Sequence, residues 1–138
     1  MNTRWSVADT VRHITAGEIT ATQVAEATLA CIEAVDDELG AFLVVDGDGA
    51  RAAAAEIDRM RAAGEPLGPL AGVPVALKDV LVTRGLQTTA ASKILEGWIP
   101  PYDAHVVESC ARRAPSSSAR STATSSRWAA PPRTAPTS

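Results

Sequence analysis

Apolar residues recur every three or four positions at the start of the chain, which is the spacing of one helix face. This pattern predicts a first helix over residues 6–16, with Ser6 as its N-cap. It predicts a second helix over residues 21–38, where Thr20 and Gln23 have the spacing of a capping box. Gly17 and Gly40 are the predicted stops of these two helices, because glycine is a typical helix stop.

A third helix is predicted over the alanine-rich residues 49–63. Asp48 is placed to cap it, and Ile57 and Met60 form its apolar side. The apolar residues 41–45, between the second and third helices, are predicted to be a strand or an extended segment.

The helical spacing gives way to strict alternation at residues 73–78, which predicts a strand. Pro74 cannot donate to a strand ladder, so it should lie at the strand start or on an unpaired side. Lys78 falls near the strand's end and faces away from the apolar positions. Beyond it, the sequence predicts a short helix around residues 91–96 and a first helical turn at residues 104–108.

Charge and composition change sharply near residue 108. All 16 acidic residues and eight of the 13 basic residues lie in residues 1–108. Residues 109–138 hold five Arg and no acid, and they contain no Val, Ile, Leu, Met, Phe or Tyr. A segment this poor in apolar side chains cannot offset the entropy of ordering its backbone. We therefore expect residues 1–108 to be the N-terminal portion of a domain, with marginal order at residues 66–108 in isolation, and residues 109–138 to be a disordered tail.

Several broad classes receive no support from the sequence. The two cysteines, Cys31 and Cys110, match no metal or redox spacing. The first residues lack the apolar run of a signal peptide, and no stretch approaches the roughly 20 apolar residues of a membrane span. We expect a soluble, cytoplasmic protein.

Lys78 taken alone would be a solvated charge at a strand end, and Asp79 a helix or turn cap. The surrounding blocks change that interpretation. Residues 68–79, GPLAGVPVALKD, resemble the first conserved block of the amidase signature family. Residues 88–95, TTAASKIL, and 100–107, PPYDAHVV, resemble the next block. Within the family, this second pair is most similar to the A subunits of glutamyl-tRNA(Gln)/aspartyl-tRNA(Asn) amidotransferases.

The resemblance implies an α/β fold in which helices pack on a mixed sheet, with this chain supplying the incomplete N-terminal part. It also implies that Lys78 is the lysine of a Ser–cis-Ser–Lys triad, acting as a base through the cis-serine. A lysine is protonated in water, so we expect desolvation to make its neutral amine available. The activated serine would attack a carboxamide, form an acyl-enzyme and release ammonia.

The resemblance further implies partners. The A subunit works with B and C subunits, which use ATP and the released ammonia to amidate glutamate or aspartate carried on tRNA. Glutamine or another amide would be the substrate. No cofactor or metal is expected in this chain itself.

The tail departs from the family pattern, which continues with a strand ending in Gly-Lys and a stretch like N-x-D-E-F-x-M-G-S-S-T-E-N-S. Suitable codons for Cys110 onward, read in another frame, encode LRAAGAVVLGK and then NCDEFAMGSSTENS. Tryptophan has a single codon, TGG. In the shifted frame, the codon of Trp128 therefore requires a codon ending in TG followed by a glycine codon, and the family has Met-Gly at this place. We therefore expect a frameshift near codon 109. The rival interpretation is a genuine basic tail that touches RNA weakly.

The family's catalytic serines are expected beyond the end of this chain, which predicts an inactive product. Ser116–Ser118 and Ser125–Ser126 lack flanking glycines, and we reject them as catalytic. Two alternatives stay open. The chain is a fragment of a stand-alone amidase acting on small amides, or it is a non-catalytic fragment whose helices bind partner subunits.

Overall fold

The computed structural model describes residues 5–113. This part of the chain holds four α-helices: α1 (Val7–Ala16), α2 (Ala21–Leu39), α3 (Gly47–Ala62) and α4 (His105–Arg113). A 3₁₀ helix at Lys93–Leu95 lies in the connection between α3 and α4. It is shorter than the helix predicted around residues 91–96.

The starts of α1 and α2 confirm the predicted caps. The backbone N–H of Asp9 donates to the Ser6 hydroxyl at 3.1 Å. Thr20 and Gln23 form a complete capping box, because each side chain accepts from the other residue's backbone N–H. These bonds satisfy N–H groups that have no partner within their own helix.

The predicted cap of α3 is wrong, because Asp46 rather than Asp48 caps this helix. The Asp46 carboxylate accepts from the backbone N–H of Gly49 at 2.9 Å. Asp48 lies inside the first turn and pairs with Arg51 at 3.5 Å. The glycines at 47 and 49 have low helix propensity, so the pattern placed the helix start too late.

The core forms where α1, α2 and α3 meet. Its side chains are mostly small, and small residues allow close approach of the helices. Asp58 of α3 accepts the backbone N–H groups of Ala21 and Thr22 at 2.8 and 3.0 Å. This ties α3 to the first turn of α2. The buried cluster consists of Ile14, Ala21, Val24, Ala25, Ala54, Ile57 and Ala71.

The predicted strand at residues 73–78 is not seen, and no strand is present in residues 5–113. Residues 41–45 likewise have no regular structure. The backbone N–H groups of residues 75–78 donate no backbone hydrogen bond to another described residue. Alternation shows that a segment can present two different faces, but a sheet also needs a partner ladder. The described portion is therefore helical, and the mixed sheet expected of an α/β fold is not confirmed.

Between the 78–81 turn and α4, residues 82–88 are hydrogen-bonded to residues 98–104. Gly85 donates its N–H to the Pro100 carbonyl at 3.1 Å, and Thr88 donates to the Trp98 carbonyl at 3.2 Å. The Asp103 carboxylate also accepts from the backbone N–H of Arg84 at 2.6 Å. These bonds join residues 82–88 to residues 98–104.

Helix α4 continues past the boundary expected at residue 108. Val107 is buried, and the Arg113 carbonyl accepts from the backbone N–H of Leu70 at 3.3 Å. Residues 109–113 are thus helical rather than part of the expected disordered tail. The buried Val107 and the hydrogen bond to the Arg113 carbonyl hold the last turn of α4, which the composition of the segment does not predict. The rest of that tail lies outside the described residues.

Candidate functional site

Lys78 stands at the end of a segment that is anchored on α1 and α2. Gly72, six residues earlier, has φ +70°, and a Cβ there would lie 2.5 Å from the Ile14 side chain and 2.9 Å from Cβ of Ala21. The chain then runs without regular structure to a turn, where the Lys78 carbonyl accepts from the backbone N–H of Leu81 at 2.8 Å. Lys78 therefore begins the turn that follows the anchored segment.

The Asp79 carboxylate is directed towards a distant part of the chain. It accepts from the backbone N–H of Thr89 at 2.8 Å and of Ala91 at 3.3 Å. The Thr89 hydroxyl also donates to it. The Asp79 backbone carbonyl accepts from the N–H of Ala90 at 3.2 Å. Asp79 thus binds three consecutive residues, 89–91, and joins the block that contains Lys78 to the next one.

The turn that surrounds Asp79 has an uncommon backbone. Ala90 and Ala91 have φ of +48° and +58°, in the left-handed region that costs a non-glycine residue roughly 1–2 kcal/mol. The Thr89 hydroxyl accepts from the Ala91 N–H at 3.2 Å while it donates to Asp79. These bonds offset the backbone cost and hold residues 89–91 around the carboxylate.

The Lys78 side chain is exposed. Within residues 5–113 its ammonium forms no hydrogen bond and no ion pair, not even with Asp79 next to it. The desolvation expected of a lysine base is not supplied by the described residues. The described residues fix the backbone of Lys78 in a turn, and they bind the carboxylate of the neighbouring Asp79 to residues 89–91.

Among the described residues, the other groups considered from the sequence add nothing to this site. Ser116–Ser118 and Ser125–Ser126 lie outside the described residues. Cys31 and Cys110 are free thiols. Among residues 5–113, no group of three His, Cys, Asp or Glu side chains could hold a metal ion. In the same part of the chain, no helix combines the length and apolarity needed to cross a membrane.

The sequence interpretation missed Thr89. Taken alone, Asp79 is expected to cap a helix or turn, and its carboxylate does bind the N–H groups of a turn ten residues away. The signal was a hydroxyl-bearing pair, Thr88-Thr89, followed by two alanines. Small side chains at 90 and 91 suit a turn of this kind, whereas the partner of the turn cannot be inferred from local pattern.

Comparison with known proteins gives this geometry a context. The amidase family profile matches residues 23–114. The chain is 58% identical over 103 residues to the A subunit of the glutamyl-tRNA(Gln) amidotransferase of Streptomyces coelicolor, covering 75% of this chain and 21% of that protein. It thus spans about a fifth of the length of the curated relatives that it matches.

Solved structures match as well. The peptide amidase of Stenotrophomonas maltophilia superimposes with a TM-score of 0.73 at 31% identity, covering 90% of this chain and 24% of the enzyme. A bacterial aryl acylamidase of the amidase signature family gives 0.76 at 26% identity, over 88% of this chain and 24% of that chain.

Proposed function

The chain belongs to the amidase signature family, and from that premise we propose that Lys78 is the lysine of its Ser–cis-Ser–Lys triad. We propose further that the chain corresponds to the N-terminal portion of the A subunit of an amidotransferase. The whole protein would release ammonia from glutamine for the conversion of Glu-tRNA(Gln) to Gln-tRNA(Gln), or of Asp-tRNA(Asn) to Asn-tRNA(Asn).

The observation that carries this proposal is the likeness to amidotransferase A subunits. Relatives of that name are 53–62% identical to the chain over 95–105 residues. This likeness is far closer than the 31% identity to the peptide amidase. The stretch that holds Lys78, Asp79 and the 89–91 turn lies within the family match.

The chemistry needs a neutral amine at Lys78. That amine would accept a proton from the cis-serine, which in turn would take the proton of the nucleophilic serine. The serine oxygen would then bond to the amide carbon, and the amide nitrogen would leave as ammonia. In this proposal, both serines and the surroundings that would desolvate Lys78 would come from outside residues 5–113.

The partners follow from the same proposal. B and C subunits would bind the whole protein, use ATP to activate the tRNA-linked carboxylate, and receive the ammonia. The complex would act in the cytoplasm, where charged tRNA is used. This chain itself would hold no cofactor.

A chimera tests the proposal. The matched 103 residues of the Streptomyces coelicolor relative would be replaced by those of this chain, and the product expressed with that organism's B and C subunits. We expect ammonia release from glutamine and ATP-dependent formation of Gln-tRNA(Gln). A folded, assembled chimera that released ammonia but formed no Gln-tRNA(Gln) would contradict the assignment to an amidotransferase.

A stand-alone amidase is the second candidate, and the superposition on the peptide amidase favours it. The same chimera distinguishes the two, because a stand-alone enzyme would have no need of B and C subunits. A gene for one of those subunits beside the coding sequence would favour the amidotransferase.

A third candidate is a non-catalytic fragment that binds the B and C subunits. It predicts that the 138-residue chain captures them in a pull-down.

We also propose that the basic, apolar-poor segment after residue 108 reflects a change of reading frame. Support comes from the composition of the segment and from the Met-Gly that the Trp128 codon allows in the shifted frame. Sequencing the DNA around codon 109 tests this directly. Nucleotides that cannot encode a family-like string in another frame would refute it.

A further inference from the structure

We propose that the 89–91 turn keeps the Asp79 carboxylate away from Lys78, which makes Thr89 a positioning residue for that lysine. This inference rests on the proposed role of Lys78 and adds to it the means by which an adjacent negative charge is kept from pairing with the ammonium.

Neighbouring residues of opposite charge would ordinarily attract each other. A carboxylate beside an ammonium favours the protonated amine, which is the form that cannot act as a base. A family that needs a neutral lysine therefore gains from occupying the carboxylate elsewhere. In this chain the carboxylate has three donors, and none of them is Lys78.

The donors are well matched to an anion. Two backbone N–H groups, from Thr89 and Ala91, reach the carboxylate at 2.8 and 3.3 Å. Hydrogen bonds to a carboxylate are stronger than those between neutral groups. An exposed Lys–Asp pair is weak by comparison, since water screens it and the long side chain must be ordered.

The Thr89 hydroxyl is the part of this arrangement that a substitution can remove most cleanly. It donates to Asp79 and accepts from the Ala91 N–H, so it links the carboxylate to the turn. Replacing Thr89 with valine keeps the side-chain shape but removes the hydroxyl donor of one carboxylate oxygen, which is then held only by the longer, 3.3 Å bond from the Ala91 N–H. That oxygen can then turn towards the Lys78 ammonium.

The chain offers an internal reference for the experiment, because Lys78 and Lys93 are its only lysines. The full 138-residue chain would be treated with trace acetic anhydride at neutral pH, and acetylation at the two lysines compared by mass spectrometry. Only the neutral amine reacts. The ratio of Lys78 to Lys93 labelling therefore reports how strongly Lys78 is held as ammonium.

We expect Thr89→Val to lower the ratio by about two- to fivefold, the range that an exposed ion pair can supply. Thr89→Ser, which retains the hydroxyl, should keep the wild-type ratio. Asp79→Asn should not lower it, and adding Asp79→Asn to Thr89→Val should cancel the effect of the valine substitution. This double variant matters because a turn that merely loosens would not respond to the loss of the carboxylate.

An unchanged ratio in Thr89→Val, or a lowered ratio that persists in the double variant, would overturn the proposal. Amide hydrogen exchange at residues 89–91 shows in each variant whether the turn is still formed. Neither readout depends on catalysis. Failure of this inference would leave the chimera test of function unaffected, and an inactive chimera would leave the labelling result standing.

Discussion

The carboxylate of Asp58 in α3 accepts a hydrogen bond from the hydroxyl of Thr22 in the first turn of α2, with 2.7 Å between the two oxygens. The same carboxylate accepts two backbone N–H groups of that turn. Asp58→Ala leaves these donors without a partner beside the buried Ala21. We expect the free energy of unfolding to fall by about 1–3 kcal/mol in urea denaturation. Asp37→Ala, an exposed aspartate of α2, is the matched control, and an equal loss there would contradict this role of Asp58.

The start of α3 gives a second test, which sets the observed cap against the one predicted from sequence. Asp46→Ala removes the acceptor for the Gly49 N–H. It should destabilise the chain by about 1 kcal/mol. Asp48→Ala removes an exposed first-turn charge and should change stability by less than about 0.5 kcal/mol. Helix content followed by circular dichroism during denaturation measures both, and a larger loss in Asp48→Ala would show that the cap is misplaced.

Two glycines with the same backbone conformation separate strain from packing. Gly72 and Gly64 have φ of +70° and +71°, so alanine at either position costs roughly 1–2 kcal/mol. A Cβ on Gly72 would also meet Ile14 and Ala21, whereas a Cβ on Gly64 would have nothing within 4 Å. Gly72→Ala should therefore be more destabilising than Gly64→Ala by a further 1–3 kcal/mol, roughly the cost of overpacking. Equal losses in thermal denaturation would mean that the anchored segment does not pack as described.

Acid should weaken the start of α1 through Asp9. The hydrogen bond from the Ser6 hydroxyl is the main cause that lowers the pKa of Asp9 below 3.8; desolvation opposes the shift, and Arg12 adds to it. Because the pKa of Asp9 is lower in the folded state, Asp9 stabilises the helix when the pH is above the ordinary pKa of an aspartate. This stabilisation is lost as the pH falls through the pKa of the folded state. In Ser6→Ala the pKa of Asp9 should rise towards 3.8, measured from its carboxyl ¹³C shift by NMR. An unchanged titration would refute the contribution of Ser6.

The helices show how far local pattern reaches. Spacing alone predicts Ser6 and Thr20 as N-caps and Gln23 as the partner of Thr20 in a capping box, and all three form the expected bonds, because a cap depends on residues within four positions. The α3 cap was misplaced by two residues, since glycine weakened the signal where the helix begins. Ile57 and Met60 were correctly expected on the buried side of α3.

Contacts between distant residues were beyond local pattern. Alternation at residues 73–78 predicted a strand, but a strand exists only with a partner, and residues 5–113 provide none. The bonds from residues 89–91 to Asp79 span ten to twelve positions. The positions of Thr89 and Ala91 in the sequence do not indicate that Asp79 is their partner. The role assigned to Lys78 came from resemblance, and its exposure in the structure differs from the desolvated setting that the chemistry requires.

The central claim is that Lys78 is the catalytic lysine, and it is tested most directly by replacing each of the two lysines in the chimeric amidotransferase. Removal of a general base typically costs about 10²–10⁴-fold in rate. We predict a loss of that size in kcat for ammonia release from glutamine in Lys78→Ala. Lys93→Ala, at the exposed start of the 3₁₀ helix, should retain activity within about twofold, the change expected of a surface residue outside the site. A folded Lys78→Ala enzyme that keeps the activity of Lys93→Ala would contradict the account.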